Sequence, residues 1–336
     1  MDYPPLHPNC RSTTIAYLGE EYRPTLRVVR NIQTGKNAII EDISYEEWIR
    51  QQQGETSSAY RGNPERPVHE AIKDIQNTVA KDNTNSPFAD LKPTESGYNR
   101  MKDFNDMADR LGWGTRPFGE DLARLDERTL QDVANGLDKI FQEYPELKGQ
   151  LDGITLRDRS IVKGYAGVGK GESGFTLYLS EQDFSTHDRL LKNLASDHSN
   201  NWSVGKDIEG VMVHECGHML HGLLQTPKEF RAGASERQAS SQIVKNAFVS
   251  LGYREEAVVW SKLYSRIEPV GRSNSGTRFN RKSISDYAEF TDTSGREYKA
   301  DNELIAESFA QIWYNGRRQN ELADAVFDAL MAMIGR

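Results

Sequence analysis

Through the second half of the chain, apolar residues recur at helical spacing. In "RTLQDVANGLDKIFQEY", Leu130, Val133, Leu137, Ile140, Phe141 and Tyr144 fall on one face, and Pro145 stops the run. "GFTLYLS" (174–180) alternates instead, as a half-buried strand does. Apolar-periodic stretches over roughly 206–225, 235–266 and 301–334 predict long helices. The first fifty residues differ: "PPLHPNCR" holds three prolines, "TTIAYL" and "TLRVVRNI" are β-rich, and "SYEEWIRQQQ" starts on Ser44 as a helix cap. Residues 51–100 are rich in Ser, Thr, Asn, Pro and Gly, with one short helical interruption near "HEAIKDIQNTVAK", and read as linker. The pattern therefore predicts an α+β protein with a short β-rich segment over 1–52, a linker over 53–100 and a globular domain over 101–336. No internal repeat is visible.

Composition narrows this picture. A chain of 336 residues buries a core without needing a metal or disulfides to staple it. Lys+Arg 42 against Asp+Glu 50 gives a net charge of -8, which argues against a nucleic-acid binder that works by counterion release. Two cysteines, Cys10 and Cys216, are too few for a disulfide framework and suit a reducing compartment. The start, "MDYPPLHPNCRSTT", lacks the basic-then-apolar pattern of a signal peptide. No stretch reaches the roughly 18 apolar residues of a membrane span.

Two stretches carry candidate chemistry. "GYAGVGKG" (164–171) nearly matches a phosphate-binding loop, the basis for a nucleotide-dependent packaging role. It ends in Gly171 where a hydroxyl should hold magnesium, and a strand follows where a helix N-terminus is required. The expectation is a glycine-rich hairpin leading into an edge strand, to which a peptide could add by β-augmentation.

"VMVHECGHMLHG" (211–222) is the stronger signal. On a helix, His214 and His218 project from one face and can grip one ion, with Glu215 beside it. Asp207 can cap this helix, and Cys216 points to its core side. His221 lies roughly 4.5 Å of rise beyond His218 and reads as a rim or substrate-facing residue. Two glutamates compete for the third ligand position. Glu236 follows His218 by eighteen residues but has no orienting acid one turn on. Glu303 is better furnished, since "DNELIAESFA" sets Glu303 and Glu307 at i and i+4, so that one carboxylate can bind metal while the other fixes a histidine tautomer.

The H-E-x-x-H helix, the "SDYA" segment (285–288) and the "NELIAE" helix together resemble the gluzincin metallopeptidases, and within them the lethal-factor-like group. The resemblance covers roughly 120–336 and implies a zincin-like fold with a small mixed sheet and active-site helices. It implies one catalytic zinc held by His214, His218 and Glu303, with Glu215 as general base, Tyr287 as transition-state donor and Glu307 behind the ligands. About a dozen extra residues, "EFTDTSGREYKA", follow the tyrosine segment, and Tyr298 within them is the rival to Tyr287. The N-terminal pieces Pro4, Pro5, His7, Pro8, Cys10 and Arg11, then Tyr45, Glu47 and Trp48, are similar to the end of phage minor head (head-morphogenesis) proteins.

The resulting expectation is a zinc endopeptidase acting on a protein or peptide, with no nucleic-acid or membrane partner. Capsid or portal association through residues 1–52 would make it virion-associated, or a toxin-like effector delivered to a target-cell cytoplasm. The alternative is a virion structural protein whose zincin domain is an inactive scaffold. Arg272, Arg278, Arg281 and Lys282 form a basic cluster, read as a solvated face or as a contact for acidic substrate segments.

Overall fold

The computed structural model describes residues 26–30, 37–41, 87–88, 91, 97–232, 235–289 and 300–336. The chain divides into two compact units, Met1–Asp82 and Asn83–Arg336. In the first, β1 (Leu26–Arg30) and β2 (Asn37–Glu41) pair antiparallel, with Val28 opposite Ile39. The proline-rich start and the Tyr45–Trp48 segment lie outside the described residues.

The second unit is α+β and takes in residues that composition assigns to the linker. Phe88 is buried among Phe104, Trp113 and Phe118, with ring centroids 5.6–6.1 Å away. α1 (Gly97–Arg110) carries Phe104 into this aromatic group. α2 (Glu127–Glu143) starts on Asp126, whose side chain accepts from the Arg128 amide at 2.9 Å, and buries the whole expected stripe from Leu130 to Phe141.

β3 (Leu151–Arg157) is followed by the single turn α3 (Arg159–Val162), then β4 (Ala166–Lys170) and β5 (Phe175–Ser180). The sheet order is β3-β5-β4, with β5 parallel to β3 and antiparallel to β4. This corrects the expected edge strand. The alternating segment is central, burying Phe175, Leu177 and Leu179, and the glycine-rich stretch before it is the outer strand itself. Glycines suit that position, since a Cβ on Gly169 would meet the Tyr178 ring at 2.8 Å.

Short α4 (Glu181–Phe184) and α5 (His187–Ser199) lead to α6 (Ile208–Gly222), which holds the H-E-x-x-H motif. Beyond it come α7 (Pro227–Arg231) and α8 (Ala239–Ser250). The stretch expected as one helix from 235 to 266 ends at Ser250 because Gly252, at φ +86°, turns the chain. A hairpin of β6 (Val258–Ser261) and β7 (Arg266–Pro269) takes up the rest. The last expected helix is likewise two, α9 (Ala300–Asn315) and α10 (Glu321–Ile334), divided at Gly316, φ +75°, with Asn320 capping the second. Among the described residues, no helix is long and apolar enough to cross a membrane.

α6 is buried on nearly every side, between α2, α9 and β4. Its approach to α9 depends on Gly217, where a Cβ would come within 2.8 Å of the Ala306 Cα. The glycine inside the motif thus sets how close the two helices lie.

Candidate metal centre

α6 begins where Asp207 accepts from the Gly210 amide at 2.9 Å, the cap expected from sequence. The same carboxylate accepts from the Tyr314 hydroxyl at 2.6 Å, and Glu209 accepts from Trp313 Nε1 at 2.9 Å. These bonds fasten the start of α6 to the end of α9, so the helices run antiparallel and bring the middle of one beside the start of the other.

At that crossing His214 Nε2 lies 3.1 Å from His218 Nε2, and Glu303 Oε2 lies 3.2 Å from each nitrogen. These atoms form the one group of three or more possible metal donors among the described residues. The triangle fits a metal on its own dimensions. Donors bound at about 2.0–2.1 Å to a tetrahedral zinc ion lie roughly 3.3 Å apart, close to all three edges here. Two nitrogens and one oxygen are also a donor set that zinc accepts. The rival glutamate, Glu236, is exposed in the turn before α8 and takes no part.

The electrostatics favour a cation at this point. Burial would lower the pKa of His214, but hydrogen bonds donated by its ring to Glu303 and Glu307 outweigh it and hold the ring well above its ordinary value. Burial would raise the Glu303 carboxyl, and His218 and His214 more than reverse that, keeping it ionised. Two carboxylates around an imidazole stabilise positive charge there, whether carried by a proton or by a metal ion.

Behind the triangle, Glu307 is 1% exposed and accepts at 2.8 Å from His214 Nδ1; its second oxygen accepts at 2.9 Å from the Val204 amide. The carboxylate is thereby fixed and in turn fixes the ring. Glu215 is 5% exposed, and its charge raises the pKa of both His214 and Tyr287, so it acts within the same buried region.

Tyr287 stands beside the histidines, its ring centroid 5.5 Å from that of His214. Its backbone is anchored to the loop before α6: the Asp286 amide donates to Asn201 O at 2.8 Å and the Tyr287 amide to Trp202 O at 2.9 Å. The Glu303 charge, burial, and the Glu215 and Glu307 charges push its hydroxyl well above the usual tyrosine range, so it keeps its proton. Tyr298 lies outside the described residues.

Sequence reasoning misplaced or missed three features. His221 is not a rim residue: it is 0% exposed, and its Nε2 sits 3.2 Å from His218 Nδ1. Its i, i+3 spacing from His218 was the available signal. Trp202, 39% exposed and 5.5 Å from the Tyr287 ring, forms an aromatic wall that no motif announced. The basic cluster also divides. Arg272, Arg278 and Lys282 are exposed, whereas Arg281 is buried and pairs with Asp301 at 2.6 Å. Cys216 lies in the core as expected, its thiol pushed up by burial and by the Glu215 charge.

No family model, no curated protein sequence and no solved structure matches the chain.

Proposed function

We propose that the second unit, Asn83–Arg336, forms a zinc-dependent endopeptidase of zincin-like fold. The observation that carries this reading is the triangle of His214 Nε2, His218 Nε2 and Glu303 Oε2, with edges of 3.1–3.2 Å and a buried Glu215 next to the first ligand. Three protein donors leave one position open on a tetrahedral ion, the arrangement of catalytic rather than structural zinc.

Zinc, when bound, supplies Lewis acidity that polarises a carbonyl and acidifies water. Glu215 is the carboxylate to receive a proton from the attacking water and pass it to the leaving amine nitrogen. Tyr287, held protonated by the surrounding carboxylates, donates a hydrogen bond to the carbonyl oxygen as negative charge develops there. Glu307 keeps the His214 proton on Nδ1, which leaves the Nε2 lone pair facing the triangle. The outer strand β4 is tied to the end of α6 by Lys170, whose Nζ donates to Gly222 O at 2.7 Å; an outer strand beside the site is a template on which an extended protein or peptide substrate can pair. The likeness of residues 1–52 to minor head proteins supports capsid or portal association, with the peptidase as an effector acting in a target-cell cytoplasm.

Glu215→Gln tests the reading. The variant is expected to bind zinc like the wild type, by metal analysis, and to lose peptide cleavage by at least about 100-fold. Wild-type cleavage by the variant would overturn the mechanism, and a zinc-loaded wild type that cleaves nothing in a peptide library would favour the scaffold role.

A further inference from the structure

Each histidine of the triangle has a second ring nitrogen facing away from it, and the two nitrogens meet different partners. His214 Nδ1 meets a carboxylate, Glu307, at 2.8 Å. His218 Nδ1 meets another imidazole, His221 Nε2, at 3.2 Å, with the rings nearly perpendicular at 85°. A buried imidazole with no polar purpose would be costly. His221 is also held in place. Its ring stacks on Phe230 at 5.9 Å and 23°, and Phe230 belongs to α7, whose first turn is closed by a reciprocal cap between Thr226 and Glu229.

We propose that His221 is a positioning residue for His218: its Nε2 accepts the Nδ1–H of His218, fixing that ring so that its Nε2 lone pair points at the metal. This role of His221 rests on the zinc reading above. A neutral imidazole that binds metal through Nε2 must carry its proton on Nδ1. His221 Nε2 must then be the acceptor, so the proton of His221 lies on its own Nδ1. In the opposite tautomer two N–H groups would face each other across 3.2 Å. Because an imidazole is a weaker acceptor than a carboxylate, His218 is held by orientation more than by charge, unlike His214.

The experiment measures zinc affinity of the full chain by competition with a chelating dye, for the wild type, His221→Leu and His221→Gln. The glutamine carbonyl can accept at nearly the same reach, whereas leucine fills space without accepting. Leucine is expected to lose about 10–100-fold in zinc affinity, with a shifted visible spectrum for bound cobalt(II), while glutamine keeps most of the affinity and the wild-type spectrum. Nitrogen-15 correlation spectra of the zinc-loaded wild type should find the His221 proton on Nδ1, a measurement that stands even if the leucine variant does not fold. The proposal is overturned by a proton on His221 Nε2, by wild-type affinity in the leucine variant, or by equal losses in both variants. A wild-type chain that binds no zinc would remove the metal centre and this role together; zinc bound with the other tautomer would remove the role of His221 alone.

Discussion

The two helices that make the centre reach it by different means. α6 carries His214, Glu215, His218 and His221 within eight consecutive residues, so one local conformation brings its contribution together. α9 brings Glu303 from 85 residues beyond His218 and must be set in place from outside. Its first turn is anchored by Asp301, which pairs with buried Arg281 at 2.6 Å and accepts from Ser241 Oγ at 2.9 Å and the Ile267 amide at 3.1 Å. Arg281 also donates to Ile267 O at 2.6 Å and Ala300 O at 3.0 Å. One side of the centre is therefore built by helical periodicity and the other by a buried ion pair joining α8, β7 and α9. A motif can encode the first; only a folded chain supplies the second.

The strongest break in this comparison is Glu303→Ala. It removes a donor from the triangle and is expected to cost more zinc affinity than the roughly 10–100-fold of an outer partner, measured by dye competition. Arg281→Met should come next. It leaves Asp301 charged and buried without its partner, and urea unfolding of the metal-free protein should show a loss of about 3–5 kcal/mol. Unchanged stability would mean that α9 is held by packing alone. Glu307→Ala frees the His214 ring and should weaken zinc by about 10–100-fold while leaving the fold intact by circular dichroism.

Gly217→Ala sharpens the comparison, because it disturbs the spacing between the helices and touches no ligand. The added methyl would press on the Ala306 backbone, and an overpacking cost of about 1–3 kcal/mol is expected in the same unfolding assay.

The smallest effect lies away from both helices, where His187 Nε2 faces Asp132 at 2.8 Å and joins α5 to α2. Burial lowers the His187 pKa, but the hydrogen bond and charge of Asp132 outweigh it, and the folded value is raised. The stabilisation is thus fully present below about pH 6.5, the unfolded value, and fades as pH rises through the raised folded one. His187→Gln should flatten the stability–pH curve in that window only.

The same contrast explains what the sequence made legible. The α2 stripe, the Asp207 cap and the histidine pair follow from residues a few positions apart, and all appear as expected. The Glu307 neighbour one turn on distinguishes Glu303 from Glu236, a local cue to a distant contact. The boundaries at Gly252 and Gly316 were missed because apolar periodicity continues across both, while backbone turns at positive φ end the helices. Which strand is the sheet edge depends on pairing with β3, and the burial of Arg281 depends on Asp301 twenty residues away; neither is written in local spacing. Helical rise alone does not reveal the place of His221, because its partner is the other nitrogen of the neighbouring His218 ring.

The seam between α6 and α9 is matched at four heights: Asp207 with Tyr314, Glu209 with Trp313, His214 with Glu307, and Gly217 against Ala306. Sliding one helix past the other by a single turn, about 5.4 Å, would undo every match at once. A misaligned docking of the two therefore forfeits all four matches together, and the alignment is specified by the protein's own side chains.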